Sequence, residues 1–596
     1  MLKSENQLDD FFGYKPEDSN KLPAIKPKKR FFKSLEEKAR LLSKILSTKE
    51  RYIIFSFLVI ILGSLLSIPV TAYRHYTQET PDYGGSFVEG IVGEPRHINP
   101  LLSQANDADR DLVSLIYSGL LKYNEEGKLV PDLAKSYDIS SDGLKYTVYL
   151  KPGIKWHDGV ALTADDVLFT IETAQSSDYG SLQKANWTGV TVEKVDELTL
   201  ILKLNDKYAQ FLNNLTLNIL PKHVWQEVKP INFSLSELNL KPIGSGPYKF
   251  NKLKKDNTGT ITSYELSANE NYYDGRAHID TIKLNFYASE IELIEAYNRN
   301  DIQNLGYISP VNLDKVKFRN RLNVQELKMP RYFGAFMNTN QSEVLADKNI
   351  RLALAYGTDR QEIINKVLDG HGSIVNSPLV GDVIDINNEV KKYDFDTELA
   401  KQVLKETGWT NPDERGVLRK GTGKNEKRLT IKITTSTWPE LSEAADILKE
   451  QWGKIGFEVN IEVLPIAALQ QTIRERAYEI LLFGEILSID PDPFTLWHSS
   501  QKKDKGLNLA LYDNKTADTI LEEARQTLNP IERMKKYDDF QRIVIEDIPA
   551  IFLYNPDYLY GQAKDIKGFK TKIISMPSDR FVNVEKWYIN TKRSSK

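Results

Sequence analysis

The segment WHDGVALTADDV, residues 156–167, concentrates side chains that could do chemistry. His157, Asp158, Asp165 and Asp166 all lie within this short segment. Imidazole and carboxylate groups are common metal ligands, and the same groups act as general acids and bases. The segment is therefore a candidate active site, in which His157, Asp165 and Asp166 would serve a hydrolase.

The same residues also fit the start of a helix. Thr163 and Asp166 form the T-x-x-D pattern of a helix N-terminus, directly before an apolar run. Aspartates in a first turn are favoured by the positive end of the helix dipole. Asp158 and Gly159 are typical of a tight turn. This structural interpretation accounts for every residue of the segment, and we favour it over the enzymatic one.

Other motifs that would indicate an enzyme are absent from the sequence. None of the 7 histidines lies three or four residues from another, which excludes a helical H-E-x-x-H zinc site. Ser245 is flanked directly by glycines and does not match the G-x-S-x-G elbow. The chain has no cysteine, which excludes disulfides, thiolate metal sites and a lipid-modified N-terminal cysteine. We therefore expect no catalytic residue, no metal site and no cofactor.

The periodicity of apolar residues predicts an α/β protein. Residues 429–434 and 457–463 should be strands, and the helix that begins at Pro439 between them makes a βαβ unit with parallel strands. Asn529 and Pro530 should open another helix as N-cap and first residue. Further segments are predicted as strands at 144–150, 199–204, 261–266 and 281–287, and as a helix at 289–297.

Residues 52–73 contain 22 residues without a charge. As a helix they would be about 33 Å long, enough to cross a hydrocarbon core of about 30 Å. Residues 1–51 carry a net charge of +5, so the positive-inside rule predicts a cytoplasmic basic tail, a transmembrane helix and an extracytoplasmic remainder. A cleaved signal peptide is the alternative, with Val70 and Ala72 as small residues before the cut.

The remaining 545 residues carry a net charge of −8, which argues against nucleic-acid binding.

An ordered set of segments covers the chain from about residue 85 to the C-terminus. The segments are EPRHINPL, IYSGLLKY, LVPDLAKS, GIKWHDGVALTADDVLFT, PIGSGPY and NYYDG, at residues 94–101, 116–123, 129–136, 153–170, 242–248 and 271–275. In this order they resemble the solute-binding proteins of ATP-driven importers. The specific group is family 5, which includes the oligopeptide- and dipeptide-binding proteins.

The resemblance implies a two-lobed, periplasmic-binding-protein-like α/β fold of class II with an extra domain, preceded by one transmembrane helix. Domain I would comprise residues 85–125, 241–335 and 566–592, domain II residues 126–240, and domain III residues 336–565. A peptide or other small solute would be caught between domains I and III of a monomer, without catalysis. The closed form would dock on an ABC permease with its ATPase subunits. A signalling or adhesion protein with this fold is a further hypothesis.

The resemblance also implies a set of ligand-binding candidates: Glu94, Asn338, Glu485, Leu487, Asp490, Asp492 and Phe494. In peptide binders of the family an aspartate pairs with the ligand's amino terminus, and the corresponding position here is Leu487.

A leucine cannot neutralise an ammonium group, and an unpaired buried charge is costly. Either Glu485 or Asp490 replaces the lost carboxylate, or the ligand is not a free-amino peptide but an oligosaccharide or metal chelate. The alternative for Asp490 and Asp492 is a solvated loop, and for Phe494 a place in the core.

Overall fold

The computed structural model describes residues 40, 46–381, 383, 384, 386, 390–503 and 505–595. The chain divides into two compact units, one formed by residues 81–592 and the other by the segments before and after it. Most of the predicted basic tail, residues 1–39 and 41–45, lies outside the described residues. The larger unit contains three main sheets, which we call the first, second and third sheets.

The first sheet has seven strands and mixed direction. Its strand from Ser86 to Val92 lies parallel to both the 281–287 and 304–308 strands, while the other pairs are antiparallel. In spatial order the strands are Leu322–Leu327, Tyr558–Ala563, Asn304–Ile308, Ser86–Val92, Thr281–Tyr287, Ile261–Ala268 and Tyr248–Lys255.

The second sheet has six strands and contains the predicted βαβ unit. Thr430–Ser436 pairs in parallel with Glu458–Leu464, and the helix Pro439–Lys454 connects them. Leu441, Leu448 and Trp452 of that helix are buried, which confirms the predicted apolar face. In spatial order the strands are Gly372–Ile374, Ala550–Pro556, Arg331–Met337, Ile480–Ile486, Thr430–Ser436 and Glu458–Leu464.

The third sheet is antiparallel and lies within residues 134–204. Its strands, in spatial order, are Ala134–Ile139, Lys145–Leu150, Thr199–Leu204 and Val190–Asp196. Shorter strands are Thr77–Pro81, Leu121–Tyr123, Leu129–Pro131, Asn411–Pro412, Leu418–Lys420, Lys427–Arg428 and Thr591–Ser595. The strands predicted at 199–204 and 281–287 have the predicted bounds, and those at 144–150 and 261–266 differ by one or two residues at one end.

The helices cover the sheets and include the two whose starts were predicted from caps. Asn529 caps the helix at 530–547 with its side chain, as predicted. Ser289 caps the helix at 290–298, but the Glu292 carboxylate accepts from Ala288 N–H rather than from the cap residue. The helices are Thr48–Tyr76, Asp107–Ile116, Ala164–Gln175, Lys184–Trp187, Phe211–Asn214, Lys222–Trp225, Pro230–Phe233, Glu290–Asn298, Glu343–Ala346, Lys348–Tyr356, Arg360–Val367, Thr397–Glu406, Pro439–Lys454, Ile466–Glu475, Phe494–Trp497, Lys515–Gln526 and Pro530–Asp547.

The chain passes between the first and second sheets at two short crossings. One crossing is residues 328–330 and the other is Asp557 alone. Lys328 Nζ lies 2.6 Å from Asp557 Oδ1, and Asn555 Nδ2 donates to Met329 O at 3.0 Å, so the crossings are tied to each other. The predicted boundaries at 335 and 565 are therefore displaced, because strand 331–337 belongs to the second sheet and strand 558–563 to the first.

The smaller unit is built around the long apolar helix Thr48–Tyr76. The helix extends a few residues beyond each end of the predicted span 52–73, and it is the one helix in the described part of the chain with the length and composition to cross a membrane. The Arg593 guanidinium donates to the carbonyls of Arg74 and Thr77 at 3.2 and 3.0 Å. Near the C-terminus, the chain thus satisfies carbonyls at the end of this helix.

Candidate functional site

The segment 156–167 has the structural role that its helix-start pattern predicted. The helix Ala164–Gln175 begins after Thr163, and Asp166 accepts hydrogen bonds from Thr163 N–H and Lys222 N–H at 2.9 and 2.8 Å. Asp165 Oδ2 lies 2.6 Å from Lys194 Nζ. Both carboxylates are therefore engaged in holding this helix in place.

His157 braces the PIGSGPY segment. Gly244 N–H donates to His157 Nδ1, and His157 Nε2 lies 3.1 Å from Gly246 O. Because Nδ1 accepts, the imidazole is neutral and carries its proton on Nε2. Burial lowers the pKa of His157 to about 4, consistent with a neutral ring. Asp158 instead pairs with His223, at 2.7 Å.

Glu485 lies at the end of strand 480–486 and is buried in the core beneath the second sheet. It is 5% exposed, and its Oε2 accepts a hydrogen bond from the Tyr332 hydroxyl. Its Oε1 has no hydrogen-bond partner among the described residues. Desolvation raises the pKa of Glu485 to about 8, against the lowering effect of the Tyr332 hydrogen bond. The raised pKa favours the neutral form of Glu485 at pH 7, and its role as a replacement for the missing aspartate stays a prediction.

Leu487 is also a core residue. It is 5% exposed and belongs to the same buried cluster as Tyr332 and Trp497. Its backbone N–H donates to Pro330 O at 2.7 Å, next to the crossing between the sheets. Its assignment as a ligand contact stays a prediction.

Asp490 and Asp492 are held by two arginines of the helices that follow. Arg533 Nη2 lies 3.0 Å from both oxygens of Asp490, and Arg525 Nη2 lies 2.6 Å from Asp492 Oδ2. The Arg525 Nε is 3.0 Å from both oxygens of Asp492. Such bidentate pairs are geometrically specific and strong. Both carboxylates are thus paired within the protein, and their role as ligand contacts stays a prediction.

The loop 488–494 is also bound to the region that follows the third sheet. Gln210 Nε2 donates to Pro491 O at 3.0 Å, and Asn213 Nδ2 donates to Asp490 O at 3.3 Å. Phe494 packs against the core, and the guanidinium of Arg525 lies 3.9 Å from the centre of its ring. Phe494 therefore supports the loop, in agreement with the interpretation that placed it in the core.

Glu94 and Asn338 have local structural roles as well. Glu94 Oε1 accepts from Ile261 N–H at 3.0 Å. Asn338 is buried, donates to Arg476 O at 3.0 Å and accepts from Asn340 N–H at 3.1 Å. These hydrogen bonds account for both side chains locally, and their assignment as ligand contacts stays a prediction.

A cavity of about 410 Å³ lies within the larger unit. Residues from the first sheet's surroundings, from the region around the third sheet and from the loop after strand 480–486 line it, the last through Ser488. This volume is within the range of small-ligand sites, about 300–1,000 Å³. None of the seven candidates from the resemblance lines it. Among the lining residues are Arg110, Lys122, Tyr123, Asp132, Asn213, Tyr272, Ser488, Asp579 and Glu585.

The charged groups of the cavity have both signs. Lys122 Nζ lies 3.3 Å from Asp132 Oδ1 and 3.6 Å from Asp274 Oδ2. Asp579 accepts from Ser575 and Met576 N–H groups at 2.7 and 3.0 Å. Burial raises the pKa of Asp579 to about 6, against the opposing effect of these hydrogen bonds.

Sequence reasoning missed Lys122, Asp132 and Glu585 as site residues. Lys122 and Asp132 lie in the segments IYSGLLKY and LVPDLAKS, which were used only for the resemblance. A charged residue within each segment was a usable signal. Nothing local marks Glu585, because Lys122 and Asp132 are hundreds of residues away from it in the sequence.

Comparisons with known proteins agree with this architecture. The family model for bacterial extracellular solute-binding proteins, family 5 Middle, matches residues 128–507. The oligopeptide-binding protein AppA of Bacillus subtilis (strain 168) is 32% identical over 520 residues, which are 85% of this chain and 92% of AppA.

Two solved structures are similar over their whole length. That of AppA from Bacillus subtilis in complex with a nonapeptide has a TM-score of 0.67 and 30% identity, and the match covers 86% of this chain and 100% of that one. That of NikZ from Campylobacter jejuni in complex with Ni(L-His) has a TM-score of 0.69 and 29% identity, with 84% and 99% covered.

Proposed function

Because this chain belongs to the bacterial extracellular solute-binding proteins of family 5, we propose that it captures dipeptides or oligopeptides and delivers them to an ABC-type importer. The fold is the two-lobed, periplasmic-binding-protein-like α/β fold. Members of the family are transport components rather than enzymes.

The observation that carries the peptide proposal is the cavity lined by Ser488 and by charged groups of both signs. A short peptide is a zwitterion, with an ammonium and a carboxylate group. Arg110 and Lys122 can attract the carboxylate, and Asp132 and Glu585 can attract the ammonium group. The cavity is lined by residues around the first sheet, by residues around the third sheet and, through Ser488, by the loop after strand 480–486. A ligand that contacts all three groups of residues favours the closed arrangement.

This chain would act as a monomer and would deliver its ligand to a permease with ATPase subunits in the membrane. The helix Thr48–Tyr76 would anchor it with the N-terminus in the cytoplasm and the binding unit on the extracytoplasmic face. Tethering raises the effective concentration of the receptor beside its permease without a new contact. Separating cells into membrane and soluble fractions and measuring the intact mass tests the anchor. Recovery of a soluble protein shortened at the N-terminus would contradict it.

A metal chelate is the second candidate ligand, because the NikZ structure, which is similar over 84% of this chain, contains Ni(L-His). An amino-acid chelate also carries charges that the cavity can match. An oligosaccharide has no comparable support from the charges of the lining.

Titration calorimetry of the full chain in detergent distinguishes these ligands. The titrants are a defined set of di- to nonapeptides, nickel with histidine, and uncharged oligosaccharides. We expect saturable binding of peptides together with a smaller radius of gyration in X-ray scattering. Saturable binding of nickel–histidine alone would replace the peptide proposal, and binding of none of them would overturn it.

A further inference from the structure

One oxygen of the buried Glu585 carboxylate has no hydrogen bond. Glu585 is 5% exposed, and its Oε1 has no hydrogen-bond partner among the described residues. The nearest ion-pair partner is Lys586, with Nζ at 3.9 Å from Oε1 and a side chain that is 60% exposed. Exposed pairs of this kind contribute little. A buried carboxylate oxygen that lacks a hydrogen bond is costly, so this wall of the cavity is electrostatically incomplete.

Three carboxylates share one ammonium group at this wall. Lys122 pairs with Asp132 and Asp274, and it also lies close enough to Glu585 to lower the pKa of that residue. Asp132 is buried and accepts a hydrogen bond from the Tyr273 hydroxyl at 2.6 Å, so its position is fixed. A single lysine cannot balance three carboxylates once all of them are ionised, so Glu585 lacks a counter-charge whenever it loses its proton.

We propose that Glu585, together with Asp132 of the same cavity, forms a subsite that receives a cationic group of the ligand, an ammonium or a guanidinium. This inference rests on the proposed function and names the ligand chemistry of that site. The incoming cation donates a charge-assisted hydrogen bond to the free oxygen of Glu585. It also supplies the positive charge that Lys122 cannot. The carboxylate that is absent at Leu487 is then replaced from another part of the cavity, not by Glu485 or Asp490.

Binding of a cation should depend on pH through Glu585. Burial raises the pKa of Glu585, and the opposing effect of Lys122 does not cancel it. A cation beside the carboxylate favours its ionised form, so wherever Glu585 is protonated in the free protein the ligand displaces that proton. Affinity for the cationic ligand should therefore rise with pH above the ordinary range of a glutamate. The charged and titratable groups that act on or respond to Glu585 are Lys122, Lys586, Asp274, Tyr248 and Tyr272.

The binding test uses two pairs of tripeptides and the full chain in detergent. Trialanine is compared with N-acetyl-trialanine, and Ala-Lys-Ala with Ala-norleucine-Ala, so an amino-terminal cation is distinguished from a side-chain cation. In one of the two pairs, we expect the wild type to bind the peptide with the additional cationic group at least tenfold more tightly than the peptide that lacks it. The substitution Glu585→Gln should remove that preference and change the affinity for the peptide that lacks the group by less than twofold. Glu237→Gln, which removes the same charge from an exposed glutamate, is the matched control.

The outcomes separate the cationic subsite from the peptide capture on which it rests. Binding of both pairs without preference, or a preference that survives Glu585→Gln, overturns the cationic subsite and leaves peptide capture intact. Failure of every peptide to bind overturns peptide capture. The subsite is then decided by urea unfolding of the free protein at pH 8, where Glu585→Gln should raise the midpoint because it removes an unpaired buried charge. A lower midpoint would identify Glu585 as a structural partner and would overturn the subsite.

Discussion

The Tyr332 hydroxyl donates a hydrogen bond to the Glu485 carboxylate in the interior of the protein. Both residues are buried, and they face each other across the neighbouring strands 331–337 and 480–486. The pair gives the protein a titrating group in its interior.

Glu485→Gln should change how stability depends on pH. The pKa of Glu485 is about 8 in the folded protein and near 4.5 when unfolded, so the folded state binds more protons between these values. Stability of the wild type should therefore fall relative to the variant as pH rises from 4.5 to 8, by up to about 1.4 kcal/mol per pH unit. Urea unfolding at three pH values measures this. The exposed Glu450→Gln is the control, and a pH-independent difference between wild type and Glu485→Gln would contradict the prediction.

His157→Gln should show a pH effect of the opposite sign. The pKa of His157 is about 4 in the folded protein and near 6.5 when unfolded, so the folded state binds fewer protons in that interval. The wild type should lose stability relative to the variant as pH falls from 6.5 to 4, by up to about 1.4 kcal/mol per unit. Glutamine can make both hydrogen bonds without titrating. Because Glu485 acts oppositely between pH 4.5 and 6.5, the difference between wild type and variant must be measured, not the wild type alone.

Asp492→Asn should destabilise the protein without a specific loss of ligand binding. The substitution removes a largely buried partner of Arg525, and we expect the free energy of unfolding to fall by about 1–3 kcal/mol. The exposed Asp539→Asn, in a pair with Arg542, should change it by less than about 0.5 kcal/mol. Unchanged stability combined with a tenfold loss of peptide affinity would restore Asp492 as a ligand contact.

Gly244→Ala should disturb the contact between PIGSGPY and the helix 107–116. A Cβ at residue 244 would lie 1.9 Å from Ile116 O, closer than any side chain can approach a backbone atom. Overpacking of this kind costs about 1–3 kcal/mol. Gly453→Ala is the matched control, because no atom lies within 4 Å of a Cβ there and alanine favours the helix 439–454. Equal thermal midpoints for the two variants would refute the interpretation that PIGSGPY requires a glycine at residue 244 to pack against Ile116.

Local patterns predicted the elements well, for a physical reason. The helix 439–454 and its flanking strands are encoded by apolar periodicity and a terminal proline, and both signals act over a few residues. Ion pairs such as Asp490 with Arg533 and Asp492 with Arg525 depend on how helices pack far along the chain. The position of Glu485 in the core, and that of Glu585 beside Lys122, depend on the same long-range packing. The resemblance therefore located the loop at 485–494 but not the surroundings of its side chains.

The two crossings between the first and second sheets determine how this protein can move. They contain three residues and one residue, and each residue spans at most about 3.6 Å. The ion pair of Lys328 with Asp557 and the hydrogen bond of Asn555 to Met329 keep them side by side. Sliding one sheet along the other would require connections longer than these. Short, tied crossings still allow rotation, so we expect any opening and closing of the molecule to be a rotation about them.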